Sequence, residues 1–406
     1  MLLLLIALFV LAAACTVGLA FRHPRAVMVV WIFAMETSPD AWLDNLVGGH
    51  ETIIGIMKGF GLVLVGVCGL ADGWRRDRYN PGFSFAFMFT AGLLHGLYPG
   101  LTLLASLRSL IGSAAPFMFS LARLRAGFTR AIIRAVIWGP TLTIGFGAML
   151  AATGLDQMFD IEQGAMRLGA SGQPPFLAGF ALVGVYAGLM EYLRHARRAD
   201  AAWVALNLVI ILLTGARTPL ALGCTITLIY VVTQRRLSLL AALGAVASLA
   251  LIFASRLTFL RVIDLAQLGE ATDLSNRNLV WPLFEQAAAT SPWLGWGVGA
   301  GKIIIPLTSG IADLIGTNAA HNEYLRIGAE GGVIGLGLLI LLMALWLEHN
   351  AARLPGPQRW LMRLIFIGFA IHSATDNTLI ATTSSIFFLW VSAIFADARE
   401  PPTPRA

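Results

Sequence analysis

Apolar runs long enough to cross a membrane recur along this chain and leave few folds open to it. A helix needs about 17–25 predominantly apolar residues to span the hydrocarbon core. Stretches that meet or approach that length lie at residues 1–20, 53–71, 82–99, 101–122, 131–152, 175–193, 200–215, 217–233, 236–255, 331–348, 359–378 and 380–395. Lipid offers no partner to a bare N–H or C=O, so only helices and closed barrels span. Barrel strands read as short alternating segments, whereas these runs are continuous. The expected fold is therefore all-α: a polytopic membrane helical bundle of about 12 transmembrane helices. Charged residues agree, at 12% of the chain against about 25% in a soluble domain. Ala26–Met35 is apolar but short; a re-entrant helix, an interfacial helix and a thirteenth span all remain open for it.

The formal charge of +6 is carried by arginine, since Lys58 and Lys302 are the only lysines. Clusters at Arg75-Arg76-Arg78, Arg123-Arg125-Arg130, Arg194-Arg197-Arg198, Arg235-Arg236 and Arg353-Arg359-Arg363 fall on alternate connections. That pattern sets topology and gives those connections, with the C-terminal tail, to the cytoplasm. It does not point to nucleic acid. The opposite set, 36–52, 153–174, 256–330 and the short turn near Asp376, is then extracytoplasmic, and it is relatively acidic. Cys15, Cys68 and Cys224 all sit inside apolar runs and read as small core residues. Residues 1–20 lack a basic n-region and a small-residue cleavage site, so a retained span is expected. The organisation read from this is 1–255 as N-terminal transmembrane helices, 256–330 as a large extracytoplasmic loop, 331–396 as C-terminal transmembrane helices and 397–406 as a tail.

The loop 256–330 is far longer than the usual 4–6 residue connection, and loops of that kind carry function. An amphipathic helix is expected around Leu279–Ala289, followed by Gly295-Trp296-Gly297-Val298-Gly299-Ala300-Gly301. The glycines are not a P-loop, because Lys302 is followed by Ile303. They suit either close backbone approach to a ligand or a hinge. His321 closes the loop in His321-Asn322-Glu323-Tyr324-Leu325-Arg326. With Thr317-Asn318 as a helix cap, His321 falls in a first helical turn. There the positive end of the dipole disfavours the imidazolium and suits the ring to general-base work. Asn322 neighbours it, Tyr324 is placed to orient ring or substrate, and Glu330 precedes the break Gly331-Gly332.

Arg217, in Thr214-Gly215-Ala216-Arg217-Thr218-Pro219, stands at an external junction of two spans. It reads either as a snorkelling interfacial charge or as a guanidinium fork for phosphate. Arg277, just before the loop helix, reads as a solvated charge or as a clamp on a second phosphate, with Arg256 and Arg261 as reserves. Glu36, Asp40, Asp44 and Glu51, with His50, form an acidic group in the first outer loop, and its spacing matches no metal motif.

Taken in order, the Gly-Ala-Arg-Thr turn at Arg217, Arg277 with Trp281, Pro292-Trp293-Leu294-Gly295-Trp296-Gly297 and His321 through Gly331-Gly332 to Gly335 resemble the O-antigen ligase and Wzy-type polymerase superfamily. The resemblance covers roughly 200–340. It implies an inverting glycosyltransferase that uses no metal or other cofactor, in a bacterial inner membrane with its active site facing the periplasm. The donor would be a glycan on undecaprenyl diphosphate. The acceptor would be lipid A-core, a growing glycan or a protein. Arg217 and Arg277 would bind the diphosphate and His321 would activate the acceptor hydroxyl, with Asn322, Tyr324 and Glu330 in support. Members often carry glycine before the second arginine, where this chain has Asn276. An exopolysaccharide polymerase is the close alternative. A lipid-linked sugar flippase or transporter is the reading from another class, though such proteins place charge at mid-membrane and this chain offers few such charges, Lys58 and Arg134 among them.

Overall fold

The structure, a computed structural model, describes residues 16–47, 50–162, 165–235, 240, 243–244, 248, 277–315 and 318–399. Most of the runs 1–20 and 236–255, the reserves Arg256 and Arg261, Asn276, Thr317 and residues 400–406 lie outside them. The chain is mainly helical. In order come α1 (Pro24–Glu36), α2 (Pro39–Val47), α3 (His50–Asp72), α4 (Gly82–His95), α5 (Leu103–Met118) and α6 (Ala126–Thr153). After two strands follow α7 (Pro174–His195), α8 (Arg198–Thr214), α9 (Arg217–Gln234), α10 (Arg277–Thr290), α11 (Gly310–Ile315), α12 (Glu323–Ala351), α13 (Gly356–Ser373) and α14 (Thr382–Asp397).

Among the described residues five helical stretches are long and apolar enough to cross a membrane: Ile53–Asp72, Leu103–Leu121, Gly127–Thr153, Pro174–His195 and Glu323–Ala351. Gly82–His95 and Thr382–Asp397 are apolar but shorter. The expectation of a helical membrane protein is met in kind, while the count of spans is not fixed by these helices. The all-α expectation yields at one place. β1 (Phe159–Glu162) and β2 (Ala165–Leu168) pair as antiparallel strands, with Asp160 opposite Arg167.

The bundle is built around α14 and α7. Every residue of α14 from Ser384 to Ala396 is buried, and α14 packs on α5, α6, α7 and α1. Apolar side chains gain little from leaving lipid for protein, so helices associate in membranes by close packing and small residues. α7 follows that logic. A Cβ on Gly179 would stand 2.7 Å from Thr383 of α14, and one on Gly188 would stand 2.8 Å from Val204 of α8. Rings also pack on α14: Phe388 lies 4.3 Å from Phe117 and Phe387 stacks on Phe369 at 4.8 Å.

Helix ends follow from local residues. α6 stops at Gly154 and α8 at Gly215, both with positive φ (70° and 67°), the left-handed cap that glycine adopts without steric cost. α1 contains Ala26–Met35 and rises about 20 Å, too little to cross the hydrocarbon alone. It lies parallel to α6: Arg25 folds over Gly127 at one end and Glu36 over Gly139 at the other.

Candidate active site

The kinked helix α12 organises the site. Helical hydrogen bonding runs from Glu323 to Ala351, but Gly332 breaks it with φ 60° and ψ −168°. The apolar pattern places a span at 331–348; the helix instead begins eight residues earlier and the glycine pair lies inside it. At the break, backbone groups lose their helical partners and the glycine-rich loop takes their place. Trp296 and Gly297 donate to the carbonyls of Ala329 and Glu330 at 2.9 Å each. Val333 and Ile334 donate to Pro292 and Trp293 at 2.8 and 3.2 Å. This contact leaves no room for side chains. A Cβ on Gly295 would collide with the Glu330 backbone, and one on Gly332 with the Trp293 backbone. The close approach expected of these glycines is thus to the chain's own helix.

A buried ionic network holds the first piece of α12. Arg326, 3% exposed, donates to Glu323 at 2.6 Å and to Glu330 at 2.8 Å. The other oxygens of these carboxylates accept from Leu379 N (2.7 Å) and Gly301 N (3.2 Å). Lys58, also buried, donates to the carbonyl of Ile380. Two cations and two carboxylates therefore fix the loop 374–381, α12 and the glycine loop together. Glu330 is a member of this network, which its place before a glycine break does not suggest. Lys58 is drawn from α3 to the same loop.

His321 stands on that frame. Asn322 is the helix cap, its Oδ1 accepting from Tyr324 N (3.0 Å) and Leu325 N (3.3 Å). The expected cap at Thr317-Asn318 is corrected: His321 precedes the helix and does not lie in its first turn. Its φ of 47° is in the left-handed region that few non-glycine residues occupy. Two anchors keep it there. Trp281 Nε1 donates to Ala320 O at 3.0 Å, and Asn318 donates to Lys302 O at 2.6 Å. The loop segment has its own small core, with Val280, Phe284, Ile305 and Ala320 closing on Ala329 of α12.

The imidazole faces a carboxylate that sequence reading places only in an outer turn. His321 Nδ1 lies 3.4 Å from Asp376 Oδ1, and His372 Nε2 lies 3.7 Å from Asp376 Oδ2. Burial would raise the Asp376 carboxyl, but the His321 and His372 imidazoles beside it outweigh that and hold the group well below the usual carboxylate range. Asp376 is then an anion at neutral pH and can only accept. Asn377 Nδ2, at 3.5 Å from the same ring nitrogen, is the weaker neutral partner. The proton is accordingly assigned to Nδ1, which leaves Nε2 with its lone pair.

The other candidates approach the same place from different elements. Arg217 is the first residue of α9, partly buried. Its neighbour Thr218 meets Thr375 at 3.3 Å, beside Asp376. Beneath this turn Arg167 of β2, 6% exposed, donates to Thr214 O at 2.8 Å and lies along Gly215. Arg277 opens α10, one turn before Trp281 and so near the bond to Ala320, while its side chain lies outside what the structure describes. The Tyr324 hydroxyl donates to Ala370 O at 2.9 Å and ties α12 to α13. Of the acidic group in the first outer loop, Glu36 and Asp40 are buried, and the side chains of Asp44, His50 and Glu51 lie outside the description. No three His, Cys, Asp or Glu side chains come together as metal ligands among the described residues.

Residues 202–340 match the family model described as O-antigen ligase. The matched segment holds Arg217, Arg277, His321 and the Arg326, Glu323 and Glu330 side chains, but not Lys58 or the loop 374–381. It ends before Asp376 and His372, which the fold brings to it. No curated protein matches the chain.

Proposed function

Because the match over 202–340 supports the O-antigen ligase superfamily, we propose that the chain is a membrane glycan transferase. It moves an undecaprenyl-diphosphate-linked glycan onto an acceptor hydroxyl at the outer face of a bacterial inner membrane. The observation that carries this reading is His321 set against the Asp376 carboxylate, with the Arg217 turn bonded to the same loop.

The chemistry asks for two things, and these residues suit both. The acceptor hydroxyl needs a base: His321 Nε2 takes its proton as the oxygen attacks the anomeric carbon, while Asp376 steadies the imidazolium that results. The carbon–oxygen bond to the carrier breaks, and the leaving diphosphate needs its growing negative charge neutralised. Arg217 and Arg277 supply guanidinium groups, which meet phosphate in a planar, two-pronged contact that ammonium cannot copy. The leaving group departs already ionised, so the mechanism requires no general acid.

Complementation of a null strain tests this. Wild type is expected to restore the glycan and His321→Ala to restore none at equal membrane level. Full rescue by His321→Ala would remove the base assignment. The species that accumulates in the null separates a ligase, which leaves long chains on the carrier, from a polymerase, which leaves single repeats.

A further inference from the structure

Arg134 has no part in the site just described, yet it lies on α6 within an apolar stretch, where a charge near the bilayer centre costs about 2.5–3.5 kcal/mol on insertion scales. It lines a hollow of about 560 Å³ between α1 and α6, together with Arg25, Arg130, Gly127, Trp138 and Leu142. Three features set this hollow apart from a row of topology-setting arginines.

First, the cations come from two helices. Arg25 is laid over α6, its Nη2 2.7 Å from where a Gly127 Cβ would be. Second, no carboxylate is among the described residues lining the hollow. Third, Arg130, Arg134, Trp138 and Leu142 follow one another at four-residue spacing, so they form one stripe down α6. The stripe passes from charge through an amphipathic ring to hydrocarbon, the same order that a phospholipid presents from headgroup to acyl chain. The N-terminus of α6, a long helix, adds its own partial positive charge at the Gly127 end.

We propose that this hollow binds the headgroup of an acidic phospholipid, with the phosphate between Arg25 and Arg134 and an acyl chain along Trp138 and Leu142. Basic hollows between membrane helices suit such headgroups. The inference is independent of glycan transfer.

The test is a lipid titration of the purified full-length protein, following its melting temperature in a zwitterionic detergent. Phosphatidylglycerol is expected to raise the midpoint saturably, and phosphatidylcholine is not. Each of Arg25→Gln and Arg134→Gln should weaken the apparent affinity roughly fivefold, the loss expected for one basic residue near a charged lipid. Arg78→Gln, the same charge change on an exposed arginine outside the hollow, should leave it unaltered. Arg134→Lys, which keeps the charge, should retain most of the affinity and stands in if a glutamine variant fails to fold. Equal weakening by Arg78→Gln, an equal response to phosphatidylcholine, or an equal shift from inorganic phosphate alone would each overturn the proposal.

Discussion

The break in α12 lends itself to a paired substitution in which the same chemical change should have opposite signs five residues apart. Gly332→Ala places a methyl group at φ 60° and ψ −168°, a backbone region essentially confined to glycine, where an L-residue is strained by about 1–3 kcal/mol. The same methyl would collide with the Trp293 backbone, so the loop must retreat. Retreat breaks the bonds from Val333 to Pro292 and from Ile334 to Trp293, worth about 1 kcal/mol each. The expected loss is therefore about 3–5 kcal/mol. Gly337→Ala meets nothing within 4 Å and lies in regular helix, so it should gain about 0.5–1 kcal/mol. Melting in detergent, followed by fluorescence-detected size exclusion, should give a fall on the order of 5–10 °C for the first and none for the second. A Gly332→Ala protein as stable as Gly337→Ala would refute the idea that the loop and the break are fitted to each other.

Other outcomes follow from the site. Asp376→Asn keeps shape but removes the anion that orients His321, and should lower transfer by at least about a hundredfold; an initial-rate assay with unchanged protein level checks it. Arg217→Lys should lose most activity with intact folding, and full activity in the lysine variant would reduce the requirement there to charge alone. Arg326→Met leaves Glu323 and Glu330 buried without their cation, a change that costs about 3–5 kcal/mol in comparable buried pairs. It should abolish folded yield, and replacing both carboxylates by glutamine in the same chain should recover part of it.

How far the sequence alone reaches can be seen at particular residues. The apolar runs show the helices because a spanning helix needs a length that few other structures imitate. His321 and Arg217 stand out by residue type and place, and the fold brings the turn of Arg217 and the ring of His321 to the loop that carries Asp376. The expected cap lies four residues from the real one, since Asn318 and Asn322 are equally good caps; the choice is made by Trp281 and Lys302 holding the chain extended through Ala320. Arg326 has a visible signal, its spacing of three from Glu323 and four from Glu330 on one helix face, but nothing local says that the face is buried. Asp376 and His321 are 55 residues apart, and their contact exists only because Glu323 and Lys58 grip residues 379 and 380. Arg167 requires a strand pairing that its four-residue strands do not announce.

The position of Gly332 also works as a depth gauge. From Val333 to Ala351 the helix rises about 28 Å, close to the roughly 30 Å of a hydrocarbon core. If 333–351 makes the crossing, the stretch Glu323–Gly331 would be surplus to it, and the kink at Gly332 would let that stretch lie in the headgroup layer with its ion network out of the oil. On the proposed function, a carrier lipid whose phosphates ride at that same level would reach the histidine by sliding sideways within its own leaflet. It would not have to be lifted into water or drawn toward the bilayer midplane, so the work of substrate capture falls to lateral diffusion.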